Sequence, residues 1–138
     1  MHFFQNLEIL SCFMMTGIIW IVQLVHYPTF LFIKNDSFRK FSFFHQLRIS
    51  IIVIPLMISE IFSHFYLLIY YKDIFSLENI FQTFLILLIW FTTFSLSFPY
   101  HKSLEKKYKD STLKKLIYTN WIRTLSWTFR SLIFFNYL

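Results

Sequence analysis

Apolar residues run in four long blocks, each broken by a few polar positions. Phe3 to Ile33 carries Gln5, Asn6, Glu8, Gln23 and His26 as its strongly polar members. Ile49 to Tyr71 carries Glu60 and His64, and Ile80 to Tyr100 carries Gln82 and small hydroxyls. Leu113 to Leu138 carries Asn120, Arg123 and Arg130. About 20 helical residues cross a hydrocarbon core of about 30 Å, so each block is long enough. The many Ile, Phe and Thr residues suit strands in water. In lipid an open strand leaves its backbone unpaired, and the helix wins. The period-two alternation of a membrane β-barrel is absent. The pattern therefore predicts an all-α integral membrane four-helix bundle. It is one domain over residues 1–138, with transmembrane helices at about 3–33, 45–71, 79–100 and 113–137.

Punctuation refines these elements. Pro55 frees the carbonyl of Ile51 and predicts a kink in the second helix. Pro28 falls near the end of the first span, and Pro99 is expected to end the third. Ser111 and Thr112 are expected to cap the fourth helix. The first span lacks a basic leader and a small-residue cleavage site, unlike a cleavable signal peptide. No internal repeat or flexible linker is evident.

Composition supports the membrane reading. The 138 residues are 57% hydrophobic and only 14% charged, against about 25% charged in soluble domains. Disorder is excluded by so much apolar surface, and a disulfide scaffold by the solitary Cys12. Ten of the 13 basic residues lie in the 34–48 and 101–115 segments. The bias of short loops puts that side in the cytoplasm and both termini outside. The net charge of +6 is then explained by topology and anionic lipid headgroups, with no nucleic acid partner.

At about 100° per residue, each span gathers its polar residues on one face. Gln5, Glu8, Cys12, Thr16, Gln23 and His26 share an arc of about 80°. His45, Ser59, Glu60, Ser63 and His64 share another, as do Asn79, Gln82, Trp90, Thr93, Ser97 and Tyr100 in the third span and Asn120, Arg123, Thr124, Trp127, Arg130 and Ser131 in the fourth. Ionisable residues within membranes face the bundle interior, so these stripes are expected inside. The rise of 1.5 Å per residue sorts them into two levels. Glu60 and Arg130 fall at one deep level and are expected to form a structural ion pair, with Glu8 and His64 close by. A proton relay through Glu8, Glu60 and His64 is the functional alternative there. Nearer the cytoplasmic end, His26, Asn120 and Arg123 are expected to form a pocket, with His45 and His101 at its mouth. Its alternative is a knot of groups that satisfy one another. Glu60 and His64 are too few ligands for a metal site. Haem ligation by two of His26, His45 and His101 stays open, and the sequence requires no cofactor.

The strings Trp20-Ile-Val-Gln-Leu-Val-His26-Tyr-Pro28, Phe44-His45, Pro55-Leu-Met-Ile-Ser-Glu60, Pro99-Tyr-His101, Asn120-Trp-Ile-Arg123-Thr and Trp127-Thr-Phe-Arg130 resemble a family of small, uncharacterised bacterial four-span membrane proteins. The likeness covers nearly the whole chain, and Asn-Trp-Ile-Arg-Thr is its most specific part. More distantly the chain is similar to the anthrone-oxygenase-like domain of unknown function. There a His or Asn after the third-span Pro and an Arg in the last span recur, matching His101 and Arg123. The resemblance implies a four-span bundle in a bacterial inner membrane and, weakly, cofactor-free oxygenation. The haem-linked four-span protoporphyrinogen oxidase family has a similar outline. Its essential His lies early in the first span, where this chain has apolar residues and Glu8.

Three functional classes follow. One is an enzyme that binds or oxidises a lipophilic small molecule. In it Arg123 holds an anionic oxygen, and His26 or His101 exchanges a proton. Asn120, Trp127, Tyr27 and His45 contact the substrate, with Trp20 and Trp121 as further walls of an aromatic slot. The second is a structural or assembly subunit of a homo-oligomer or membrane complex. A small transporter is third, since no inverted repeat is visible.

Overall fold

In a computed structural model the described residues are 2–33, 35–71 and 73–136, Asn35 by its backbone alone. Lys34 and Lys72, which entered the charge argument, and Tyr137, at the end of the expected fourth span, lie outside them. Four helical rods account for nearly all of these residues. They are α1, His2–Phe32; α2, Asn35–Tyr70; α3, Leu77–Lys106; and α4, Asp110–Phe135. Helices α1, α2 and α3 are long and apolar enough to cross a membrane. The 26 residues of α4 reach about 39 Å, and its two arginines within the apolar run point inward. The protein is an all-α integral membrane bundle.

The burial pattern shows which solvent surrounds it. Phe3, Leu10, Ile54, Phe62, Phe91 and Phe135 are among the many large apolar side chains on the outside. Inside, buried polar and charged side chains are nearly as numerous as apolar ones. Water would expel such an arrangement, whereas lipid stabilises it.

Several boundaries differ from the sequence expectation. The 35–48 segment is not a loop, because α2 runs unbroken for 36 residues with Pro55 inside it. Pro99 does not end the third span. A five-residue π-helical turn, Thr93–Ser97, precedes Phe98-Pro99, and the helix continues to Lys106. An identical device, Val22–His26, precedes Tyr27-Pro28 in α1. Proline lacks an N–H and its ring crowds the carbonyl four residues back. Each wider turn relieves that crowding, with Tyr27 N–H bonding to the Val22 carbonyl and Phe98 N–H to that of Thr93. Ser111 and Thr112 do not cap α4, which starts at Asp110 after extended Lys109. Asp110 instead pairs with Lys114 at 2.6 Å and offsets the positive helix end. Ser76 caps α3 by accepting from the Asn79 N–H.

Helix α1 packs along α2 and α4, and α3 packs along α4. Helices α2 and α3 barely meet within the apolar zone. They are tied together at the basic end, where Gln46 Nε2 donates to Glu105 Oε1 at 2.7 Å. There too the rings of Phe38 and Tyr108 are 4.8 Å apart. A gap is left along the rest of the α2–α3 seam.

Candidate functional site

Two polar layers lie inside the bundle, strung along one face of α4. At the deep layer Arg130 Nε donates to Glu60 Oε1 at 3.0 Å, Nη1 to the Gln82 carbonyl at 2.9 Å, and Nη2 to Glu8 Oε1 at 3.3 Å. The other Glu60 oxygen accepts from Trp127 Nε1 at 2.9 Å. His64 Nδ1 lies 2.6 Å from Glu8 Oε1, and its Nε2 is 2.9 Å from Thr83 Oγ1. All of these charged groups are buried. Around them Thr16 Oγ1 and Ser131 Oγ are 2.6 Å apart, with Cys12 Sγ at 3.6 Å from the same Ser131 oxygen. Helices α1, α2, α3 and α4 all contribute, so this layer staples the bundle. The α4 stripe places Arg130 there because an unbroken helix keeps residues three, four and seven apart on one face.

The second layer is incompletely satisfied. Arg123 Nη1 donates to Asn120 Oδ1 at 3.3 Å and to Ser97 Oγ at 3.4 Å, both longer than an ordinary N–H···O bond. Its Nε has no hydrogen-bond partner, although it is buried. No carboxylate pairs with it among the described residues. The guanidinium carbon sits 5.4 Å from the centre of the Trp127 ring, a cation–π contact. Asn120 is itself held by its Nδ2, which donates to Gln23 Oε1 at 2.8 Å. Tyr27 Oη and His101 Nε2 are 3.0 Å apart in a buried hydrogen bond, while His101 Nδ1 has no partner.

A cavity of about 470 Å³ occupies the α2–α3 gap in front of these groups. Its polar end presents Tyr27, His101, Ser97 and Arg123, with His45 and Gln46 beside them. The remainder is apolar, with Met15, Val53, Met57 and Trp90 on its walls. Ile54, Ile58, Phe94 and Phe98 also line it and are exposed on the outer surface of the bundle. The opening thus faces the hydrocarbon sideways. A pocket opening at the basic end was expected, and there the Gln46–Glu105 and Phe38–Tyr108 contacts tie the structure together.

His26 is not where projection along an ideal helix puts it. It is half-buried, does not line the cavity, and its ring is 5.1 Å from that of His45. The extra residue in the π turn advances everything after it by about 100°, so Tyr27 turns inward in its place. Asn120 and Trp127 are fully buried behind Arg123 rather than on the wall. Trp20 and Trp121 stack edge to face at 5.6 Å and line no part of it. Trp90 and Ser97 were expected on the inward face of the third span, though not as walls of a cavity, and Met57 was not anticipated. The matching aromatic-Pro pairs at Tyr27-Pro28 and Phe98-Pro99 were the available signal for the two reshaped segments.

A smaller cleft of about 290 Å³ reaches Glu8 from the opposite end, between Gln5, Asn79 and Phe134. No group of three His, Cys, Asp or Glu side chains suited to a metal ion occurs among the described residues. Comparison with protein-family models, curated proteins and solved structures gives no match for this chain.

Proposed function

We propose that the protein takes a lipophilic small molecule from the bilayer into the α2–α3 cavity and holds its polar end at Arg123 and His101. One observation carries this reading. Arg123 lines a mostly apolar cavity with no carboxylate paired to it among the described residues, and Tyr27, Ser97 and His101 line the same end. A buried cation without a counter-charge is costly, and a ligand oxygen at the guanidinium reduces that cost. The volume lies within the usual range of small-molecule sites, about 300–1,000 Å³.

Within this proposal Tyr27 orients His101, while Asn120 and Trp127 position Arg123. A reaction at the site would use the same groups. Arg123 would stabilise an anionic oxygen and His101 would exchange a proton, in the sense implied by the resemblance to the anthrone-oxygenase-like domain at these two positions. The basic face is assigned to the cytoplasm on the charge bias, and the chain to a bacterial inner membrane on the resemblance to small bacterial four-span proteins. The reading as a structural or assembly subunit draws its support from the other layer, whose Glu60, Arg130 and Trp127 bind one another and present no cavity.

Two photoreactive sixteen-carbon probes, one acid and one alcohol, test the cavity. Either probe should crosslink to Met57 or Trp90, and Val53→Trp should abolish that labelling. Labelling spread evenly over lipid-facing residues with both probes defeats the proposal.

A further inference from the structure

The two buried arginines of α4 differ in their counter-charges, and that difference defines the class of ligand. Arg130 meets two carboxylates, from Glu60 and Glu8. Arg123 is only 7% exposed and has Tyr27, Ser97, Asn120 and the Trp127 ring around it, all neutral. A buried cation without a counter-ion is costly, and an ionised ligand relieves that cost. We infer that the cavity binds a single-chain lipid carboxylate, its head on Arg123 and His101 and its chain along the apolar α2–α3 gap. The inference rests on the cavity being a ligand site.

Charge count selects a monoanion. Among the described residues Arg123 is the one Lys or Arg lining the cavity, and a phosphate monoester carries about −1.5 to −2. Donor geometry agrees. A carboxylate has two oxygens that only accept. The Arg123 guanidinium supplies charged donors at the cavity, its Nη1 holding only long bonds to Asn120 and Ser97. The rest of the lining explains the chain. Met15, Val53, Met57 and Trp90 offer no polar group to a ligand, apart from the Trp90 indole N–H. The exposed Ile54, Ile58, Phe94 and Phe98 at the rim let the chain enter from the bilayer. The volume of about 470 Å³ suits one chain rather than two.

The test titrates radiolabelled hexadecanoate, hexadecanol and hexadecyl phosphate onto the full-length protein in micelles of an uncharged detergent, with protein-free micelles subtracted. Hexadecanoate should bind at least tenfold more tightly than hexadecanol. Arg123→Gln should weaken hexadecanoate at least tenfold and leave hexadecanol within twofold. Arg123→Lys, which retains the charge without the planar fork, should fall between. Equal affinity for acid and alcohol, or tighter binding of hexadecyl phosphate than of hexadecanoate, overturns the carboxylate assignment while leaving a lipophile-binding cavity. Loss of crosslinking by both photoreactive probes would instead remove the cavity reading itself. Should Arg123→Gln fail to fold, carbon-13-edited infrared spectra of bound hexadecanoate decide on the wild type. An ionised carboxylate band supports the inference, and a protonated acid band overturns it.

Discussion

Arg123 and Arg130 stand two turns apart on one face of α4, yet only Arg130 is neutralised by acids of the same chain. Trp127 lies between them and serves both. Its ring face carries the Arg123 guanidinium, and its N–H donates to Glu60, the partner of Arg130. One tryptophan therefore joins a layer whose charges are paired to a layer whose Arg123 has no acidic partner among the described residues and lines a cavity.

Glu60→Gln removes a buried counter-charge of Arg130. Breaking a buried pair costs about 3–5 kcal/mol, and the remaining Glu8 contact places the expected loss near the lower end. The double variant Glu60→Gln with Arg130→Met should recover part of it. Unfolding in detergent reads both. A double variant less stable than either single one contradicts the pairing.

Trp127→Phe keeps a ring beneath Arg123 but strips Glu60 Oε2 of its donor. A buried acceptor without its partner costs about 1–3 kcal/mol. Thermal stability should fall by that order while hexadecanoate affinity stays within twofold. Parallel loss of both would mean that the two layers act as one unit.

Gly17 is exposed in the middle of α1, and a Cβ there meets nothing within 4 Å. Glycine in a helix interior costs about 0.5–1 kcal/mol relative to alanine. Gly17→Ala should raise stability by up to that amount. A loss of stability, accompanied by a change of mass in solution, would show that a second copy packs on this face.

Cys12 is fully buried, so a Cys12→Ser background offers a clean test of orientation. Leu77 is 86% exposed at one end of the bundle, and Ser103 is exposed at the other. With the basic face in the cytoplasm, Leu77→Cys should react with an impermeant maleimide in intact cells. Ser103→Cys should react only after lysis. The opposite pattern reverses the topology and leaves the bundle unchanged.

Much of this molecule was legible from residue order alone. Long apolar blocks required helices, because lipid offers the backbone no other partner. The inward face of α4 was readable too, since one unbroken helix keeps a constant phase from Asn120 through Arg123 and Trp127 to Arg130. Depth along a helix depends only on the rise per residue, which is how Glu60 and Arg130 could be set at one level. Tertiary structure decided what lies past each π turn. One added residue rotates the chain by about 100°, so Tyr27 faces Arg123 and His101 while His26 moves beside His45. It also decided that α2 and α3 separate. Periodicity describes one helix at a time, whereas a cavity is a relation between two helices. That relation is set by which side chains meet at Gln46–Glu105 and by what is absent farther along the seam.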